Sequence, residues 1–151
     1  MKRSIIITLT GLALLGFATH ASADNCSITV DSDDNMQFDT DEITIDRSCD
    51  SIELTLTHSG EMPVTAMGHN IVFTTADDLE DLAEDAMAAS DDDYVPAGDD
   101  RVIAATDLIG GGESTTLELD PGLFEEGGDY RFFCSFPGHW NAMQGTVQIT
   151  D

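Results

Sequence analysis

Ile52-Glu53-Leu54-Thr55-Leu56-Thr57 alternates apolar and polar side chains without a break, and Thr115-Thr116-Leu117-Glu118-Leu119 repeats the pattern. A period of two belongs to a strand with one face buried, because successive side chains point to opposite faces of a sheet. Outward from these two runs, Cys26–Asp31, Glu42–Ile45, Asn70–Thr74, Arg101–Ala105, Tyr130–Cys134 and Gly145–Thr150 read as further short strands. Gly and Pro clusters punctuate them at Ser59-Gly60, Gly110-Gly111-Gly112, Pro121-Gly122 and Gly127-Gly128. Eight short strands so spaced predict an all-β sandwich or barrel. One stretch departs: from Ala76 to Ser90, Leu79, Leu82, Ala83, Ala86 and Met87 recur at helical spacing among acids, which predicts a single inserted α-helix.

The chain has 151 residues, a length suited to one domain with a real core, and carries 30 Asp+Glu against five Lys+Arg. Such a balance excludes nucleic-acid binding, which needs clustered cations on phosphate. It also opposes adsorption to anionic lipid. High net charge can signal disorder, but 41% apolar residues with Phe recurring in strand-like runs favour a folded domain. Among the acids, Asp31, Asp33, Asn35, Asp39 and Glu42 fall at calcium-loop spacing. Met36 replaces the required turn glycine and the flanks read as strand, so no calcium site is expected.

Lys2-Arg3, an apolar run from Ile5 to Phe17 and Ala21-Ser22-Ala23 make a secretory signal peptide over residues 1–23, with the mature chain over residues 24–151. The apolar run is too short for a membrane span. An exported chain, by default a bacterial periplasmic one, then holds three cysteines, Cys26, Cys49 and Cys134. One pair can form a disulfide and the third thiol needs another fate. Cys26 and Cys49 both stand beside strands near the mature N-terminus, and a bridge between them would stabilise by roughly 3 kcal/mol.

The segment Tyr130-Arg131-Phe132-Phe133-Cys134-Ser135-Phe136-Pro137-Gly138-His139-Trp140-Asn141-Ala142-Met143 carries the chemistry. A strand delivers Cys134, and a Pro-Gly loop presents His139 and Met143. Thiolate and thioether are soft ligands that select copper, and a second imidazole is available in Met67-Gly68-His69-Asn70. Two His, one Cys and a weak axial Met form the blue-copper electron-transfer set.

Cys-x4-His-x3-Met after an aromatic-rich strand, with Met-Gly-His-Asn upstream, resembles the azurin branch of the cupredoxin family, and the likeness extends over nearly all of the mature chain. Plastocyanin-like members place two residues between Cys and His, whereas four stand here. The resemblance implies an eight-stranded Greek-key sandwich holding one type 1 copper. It implies equatorial ligands His69, Cys134 and His139, Met143 as the long axial contact, and the Gly68 carbonyl opposite it. It implies the disulfide Cys26–Cys49. It implies that Asn70 ties the ligand loops together and that the Asn70 and Phe136 backbone N–H groups face the Cys134 sulfur. His58 is then a structural histidine near the site.

The implied function is a periplasmic, monomeric electron carrier and no enzyme, passing single electrons between c-type cytochromes and reductases or dehydrogenases. His139 would be its electron port. The docking patch would comprise Met36, Met62, Pro63, Ala66, Met67, Phe136, Pro137, Gly138 and Ala142. Trp140, where azurins usually carry a small or polar residue, would join that patch or cover the imidazole. A copper storage or delivery protein is the alternative, but several exposed Met/His sites would suit that role better than one enclosed set. A Cys134–His139 nucleophile pair is a third reading. It lacks an orienting group and leaves Met143 and His69 without a role.

Thirty acids with no lysine beyond Lys2 point to a host in high salt, where self-repulsion is screened within a few ångströms. The expected outcome is an unfolding midpoint that climbs from dilute buffer to molar NaCl. Greatest stability in dilute buffer would contradict it.

Overall fold

The computed structural model describes residues 25–151. The secretory signal expected over residues 1–23 therefore lies outside the described residues. Eight strands form: β1 (Ser27–Ser32), β2 (Glu42–Asp46), β3 (Ile52–His58), β4 (Val72–Thr75), β5 (Ala104–Ala105), β6 (Ser114–Leu119), β7 (Tyr130–Phe133) and β8 (Gln144–Thr150). They make a Greek-key sandwich of two sheets, ordered β1-β3-β6 and β2-β8-β7-β4-β5. Because the chain crosses between sheets, β1 pairs parallel with β3 and β2 parallel with β8, while the remaining pairs are antiparallel.

The alternation in β3 sets the core. Ile52, Leu54 and Leu56 are fully buried and meet Ile43 and Ile45 of β2, Phe73 of β4 and Phe132 of β7 between the sheets. Phe73 and Phe124 pack edge to face with centroids 5.6 Å apart, and Phe124 meets Tyr130 the same way at 5.1 Å. β4 is buried on both faces: Phe73 enters this core, whereas Val72 joins a second cluster with Phe133, Leu79, Leu82 and Ala83. A helix therefore has to cover the outer face of the larger sheet.

That helix, α2 (Leu79–Ala86), buries Leu79, Leu82, Ala83 and Ala86 on one stripe. It is shorter than the expected Ala76–Ser90. The Thr75 hydroxyl and the Asp78 carboxylate close a turn before it. After it, the Ala88 and Ala89 amides bond three residues back to the Asp85 and Ala86 carbonyls, so the chain tightens away from α geometry. A second helix, α1 (Val64–Met67), has no periodic signal because it is a single turn following Pro63. β5 is also shorter than Arg101–Ala105. The Arg101 guanidinium is held by Asp99 and Asp85, and the Val102 amide bonds to the Asp99 carbonyl, which removes both residues from the ladder.

The stretch between Asp31 and Glu42 is tied together by its own acids. Asp33 bonds the Asn35 backbone and side-chain amides, and Asp39 bonds the Asp31 amide.

Cys26 and Cys49 are joined by a disulfide, with Cα atoms 5.7 Å apart. It ties the start of β1 to the β2–β3 turn. Replacing both cysteines by alanine is expected to lower the unfolding free energy by roughly 3 kcal/mol, the loss expected when a closed loop of this size is opened. Urea unfolding of the double variant measures it, and an unchanged midpoint would show the closure to be energetically idle.

Candidate metal centre

Strand register assembles the site. β4 and β7 run antiparallel with Val72 opposite Phe133, so the residues before β4 and after β7 emerge at the same sheet edge. Those residues are Gly68-His69-Asn70 and Cys134-Ser135. β8 pairs antiparallel with β7, placing Gln144 opposite Phe133, so Met143 arrives at that edge too. The Cys134 amide donates to the Met143 carbonyl at 2.9 Å, closing the base of the 134–143 loop.

Three donor atoms meet there. The Cys134 Sγ lies 3.7 Å from His69 Nδ1 and 3.7 Å from His139 Nδ1, and all three donors fall within 4.8 Å of one another. Metal bonds of roughly 2.0 Å to nitrogen and 2.3 Å to sulfur, spread at 120°, separate N from S by about 3.7 Å. The spacing therefore fits a trigonal cation. Cys134, His69 and Met143 have no solvent exposure and His139 only 4%. The Gly68 carbonyl lies 3.8 Å from the sulfur. A Cβ on Gly68 would come within 2.6 Å of the Val64 carbonyl and press on Phe136 and Leu108, so only glycine fits that approach.

Neighbouring groups hold the donors in place. His69 Nε2 donates to the Asp33 carbonyl at 2.9 Å, which leaves the Nδ1 lone pair facing Cys134. The Asn70 side chain accepts from the Ser135 amide at 2.9 Å and donates to the Ser135 hydroxyl at 2.8 Å, strapping one donor loop to the other. His58 is buried with its ring 4.6 Å from that of His69. Its Nδ1 accepts from the Gly60 amide and its Nε2 bonds the Met67 carbonyl, so both nitrogens are engaged away from the donor set.

Burial governs the protonation of the donors. The Cys134 thiol is pushed up to about 11, a rise opposed by the Asn70 and Phe136 backbone N–H groups that point at the sulfur. His139 is lowered to about 4, by desolvation first and then by the neighbouring His69, and burial lowers His69 as well. At neutral pH both imidazoles are free bases, while the thiol would have to lose its proton to solvent for a cation to bind at sulfur.

Of the residues expected in a docking patch, Met36, Met62, Pro63, Ala66, Pro137, Gly138 and Ala142 are exposed. Met67 and Phe136 are half-buried. Trp140 is half-buried as well, and packs against the α2 cluster of Val72, Leu79, Leu82, Ala83 and Phe133. Sequence reasoning missed Asp33, Ser135 and Asp34. The first acts through a backbone carbonyl, which no side chain advertises. Ser135 was detectable only as a hydroxyl beside Cys134. The Asp34 carboxylate accepts from the Glu61 and Met62 amides, joining the turn of Met36 to that of Met62.

A buried Cys and two His at one end of a Greek-key sandwich, beside a buried Met, define a blue-copper protein. Residues 24–150 match the family model of copper-binding proteins of the plastocyanin/azurin family. The chain is 46% identical over 125 residues to an azurin of Alcaligenes faecalis, covering 82% of this chain and 98% of that protein. An azurin of Pseudomonas fluorescens biotype A is 49% identical with the same coverage. Outer membrane protein H.8 of Neisseria gonorrhoeae is 46% identical over 129 residues, which are 85% of this chain and 70% of that protein. Among solved structures, the azurin Az-iso2 from the methylotroph Methylomonas sp. strain J superposes with a TM-score of 0.80 at 38% identity, covering 83% of this chain and 98% of that one. The chain belongs to the plastocyanin/azurin family of copper-binding proteins, on its azurin side, as an electron-transfer protein with one type 1 copper.

The lowered imidazole pKa values set the sign of an acid response. In the copper-free protein, His139 in the unfolded chain takes a proton near its ordinary 6.5 and in the folded chain only near 4. Between those values the unfolded state binds more protons, so stability falls as pH drops through the window. The urea midpoint of copper-free protein is expected to decline from pH 7 to pH 4, with a shallower slope in His139→Gln. Equal slopes in the two proteins would contradict this account.

Proposed function

We propose that His69, Cys134 and His139, with Met143 and the Gly68 carbonyl beside them, would hold the copper, and that the protein relays single electrons in the periplasm. The observation that carries this reading is the pair of 3.7 Å separations from one buried sulfur to two imidazole nitrogens. Copper bound there would supply a one-electron Cu(II)/Cu(I) couple. The polypeptide contributes donors rooted in paired strands, so they need not move when the valence changes. It also excludes water, and its Asn70 and Phe136 amides stabilise charge on the sulfur.

Electrons would enter and leave at His139. Its ring lies 5.0 Å from that of His69 and 4.7 Å from that of Phe136, just under the exposed Pro137, Gly138 and Ala142. The Asp34 bonds to Glu61 and Met62, together with the His69 bond to Asp33, draw the turns of Met36 and Met62 to the same end. Apolar groups there, Met36 and Met62 each 39% exposed, interrupt an otherwise acidic surface and suit brief docking. Methionine adapts its shape to more than one partner. We assign c-type cytochromes and reductases or dehydrogenases as donor and acceptor, with the protein acting as a monomer.

Adding Cu(II) to the purified protein is expected to give an intense blue absorption and a matching electron-spin-resonance signal, both lost in Cys134→Ser. A folded sample that stays colourless with Cys134 still titratable overturns the reading. Exchange kinetics with c-type cytochromes then test the partners.

A further inference from the structure

Trp140 directly follows His139, yet the two side chains go opposite ways. His139 packs inward against His69 and Phe136. Trp140 turns away to the cluster that α2 builds on the outer face of the larger sheet, with Val95, Val102 and Ala105 on its margin. Before His139 the loop is held by the Asn70–Ser135 bonds and by Phe136 packed edge to face on Tyr94, whereas the stretch after it has little hold besides Trp140. Pro137, Gly138, Asn141 and Ala142 are exposed, and Gly138 takes φ +84°, open to a residue without a side chain. The loop's hydrogen bonds are mostly short-range: His139 N–H to the Phe136 carbonyl, and Ala142 and Met143 N–H to the His139 carbonyl. These shape the turn without fastening its tip to the sandwich. The Trp140 carbonyl is itself held by the Gln144 side-chain amide at 3.2 Å.

We propose that Trp140 is a positioning residue, a bolt that fixes the backbone bearing His139 to the α2 cluster and so orients that imidazole before copper arrives. Fixing one residue's backbone and side chain on each side of the peptide leaves His139 few directions to take, which is how a supporting contact makes a metal donor stiff. The inference also gives α2 a part in the site it does not touch, since Leu79, Leu82 and Ala83 belong to the cluster against which Trp140 packs. It rests on the copper reading for its functional meaning, but the anchoring itself is a property of the polypeptide.

The test measures amide hydrogen exchange in copper-free protein at His139, Ala142 and Met143, with Leu54 and Leu56 of β3 as reference, in wild type, Trp140→Ala and Trp140→Phe. In Trp140→Ala the loop amides should exchange about tenfold faster or more while β3 is unchanged, the signature of local opening. Release of copper to a chelator should accelerate by a similar factor, and Trp140→Phe should restore most of both. Should Trp140→Ala not fold, Trp140→Leu takes its place in the same comparison. Unchanged loop amides, equal acceleration of loop and β3, or copper release at the wild-type rate would each overturn the proposal. Failure of wild type to bind copper would instead overturn the metal reading, with the exchange data still deciding whether Trp140 anchors the loop.

Discussion

Hydrogen bonds between β4, β7 and β8 hold Val72 opposite Phe133 and Phe133 opposite Gln144, and this pairing decides whether a site exists at all. A slip of one residue would turn Cys134 away from His69 and push Phe132 out of the core, because a strand's side chains alternate between faces. Burying a large apolar side chain is worth roughly 1.5–3 kcal/mol. Phe73, Phe132 and Phe133, all fully buried, add their packing to the hydrogen bonds that hold this register. The candidate donors stand where they do because this register brings the ends of β4, β7 and β8 to one edge.

Within that frame the site is chemically strained in the sense of charge rather than of backbone. A thiol pushed up to about 11 and a His139 lowered to about 4 both prefer to be neutral in so dry a place. A cation held there would reverse the preference at sulfur, and the Asn70 and Phe136 amides are already aimed at the charge that would result. Asn70 serves twice, since its backbone faces the sulfur while its side chain clasps Ser135. Gly68 serves by having no side chain, which lets the chain before β4 close against Val64 and Phe136.

The parts legible in the sequence were those governed by local periodicity or by a dense motif. β3 and β6 announced themselves by alternation, and Cys134, His139 and Met143 by chemistry crowded into ten residues. What escaped depended on distant neighbours. Arg101 and Val102 read as strand, but carboxylates at Asp85 and Asp99 took Arg101 out of it. α1 spans one turn, too short for any period to show. Trp140 beside a metal donor reads as a surface feature, and its packing against the cluster of Val72, Leu79, Leu82, Ala83 and Phe133 is a contact that only the fold reveals. The helical spacing of Leu79, Leu82 and Ala83 tells that α2 has an apolar face, though not which loop will share it.

The acidic surface raises a separate problem for a buried redox cation. Each of Arg47, Arg101 and Arg131 is already paired with an aspartate, so the remaining carboxylates among the described residues have almost no local compensation. Their summed field favours the more positive metal state and would drag the potential downward in dilute buffer. At molar salt the screening length in solution shrinks to about 3 Å, so counter-ions gather at the exposed carboxylates and their field at the site weakens. Groups inside the fold are not screened. The potential in high salt would then be set by the amides at the sulfur, the neighbouring groups of the site and the exclusion of water, all properties of the fold's interior. A surface rich in acid and an interior tuned by neutral dipoles can thus evolve independently, the first for hydration and the second for electron transfer.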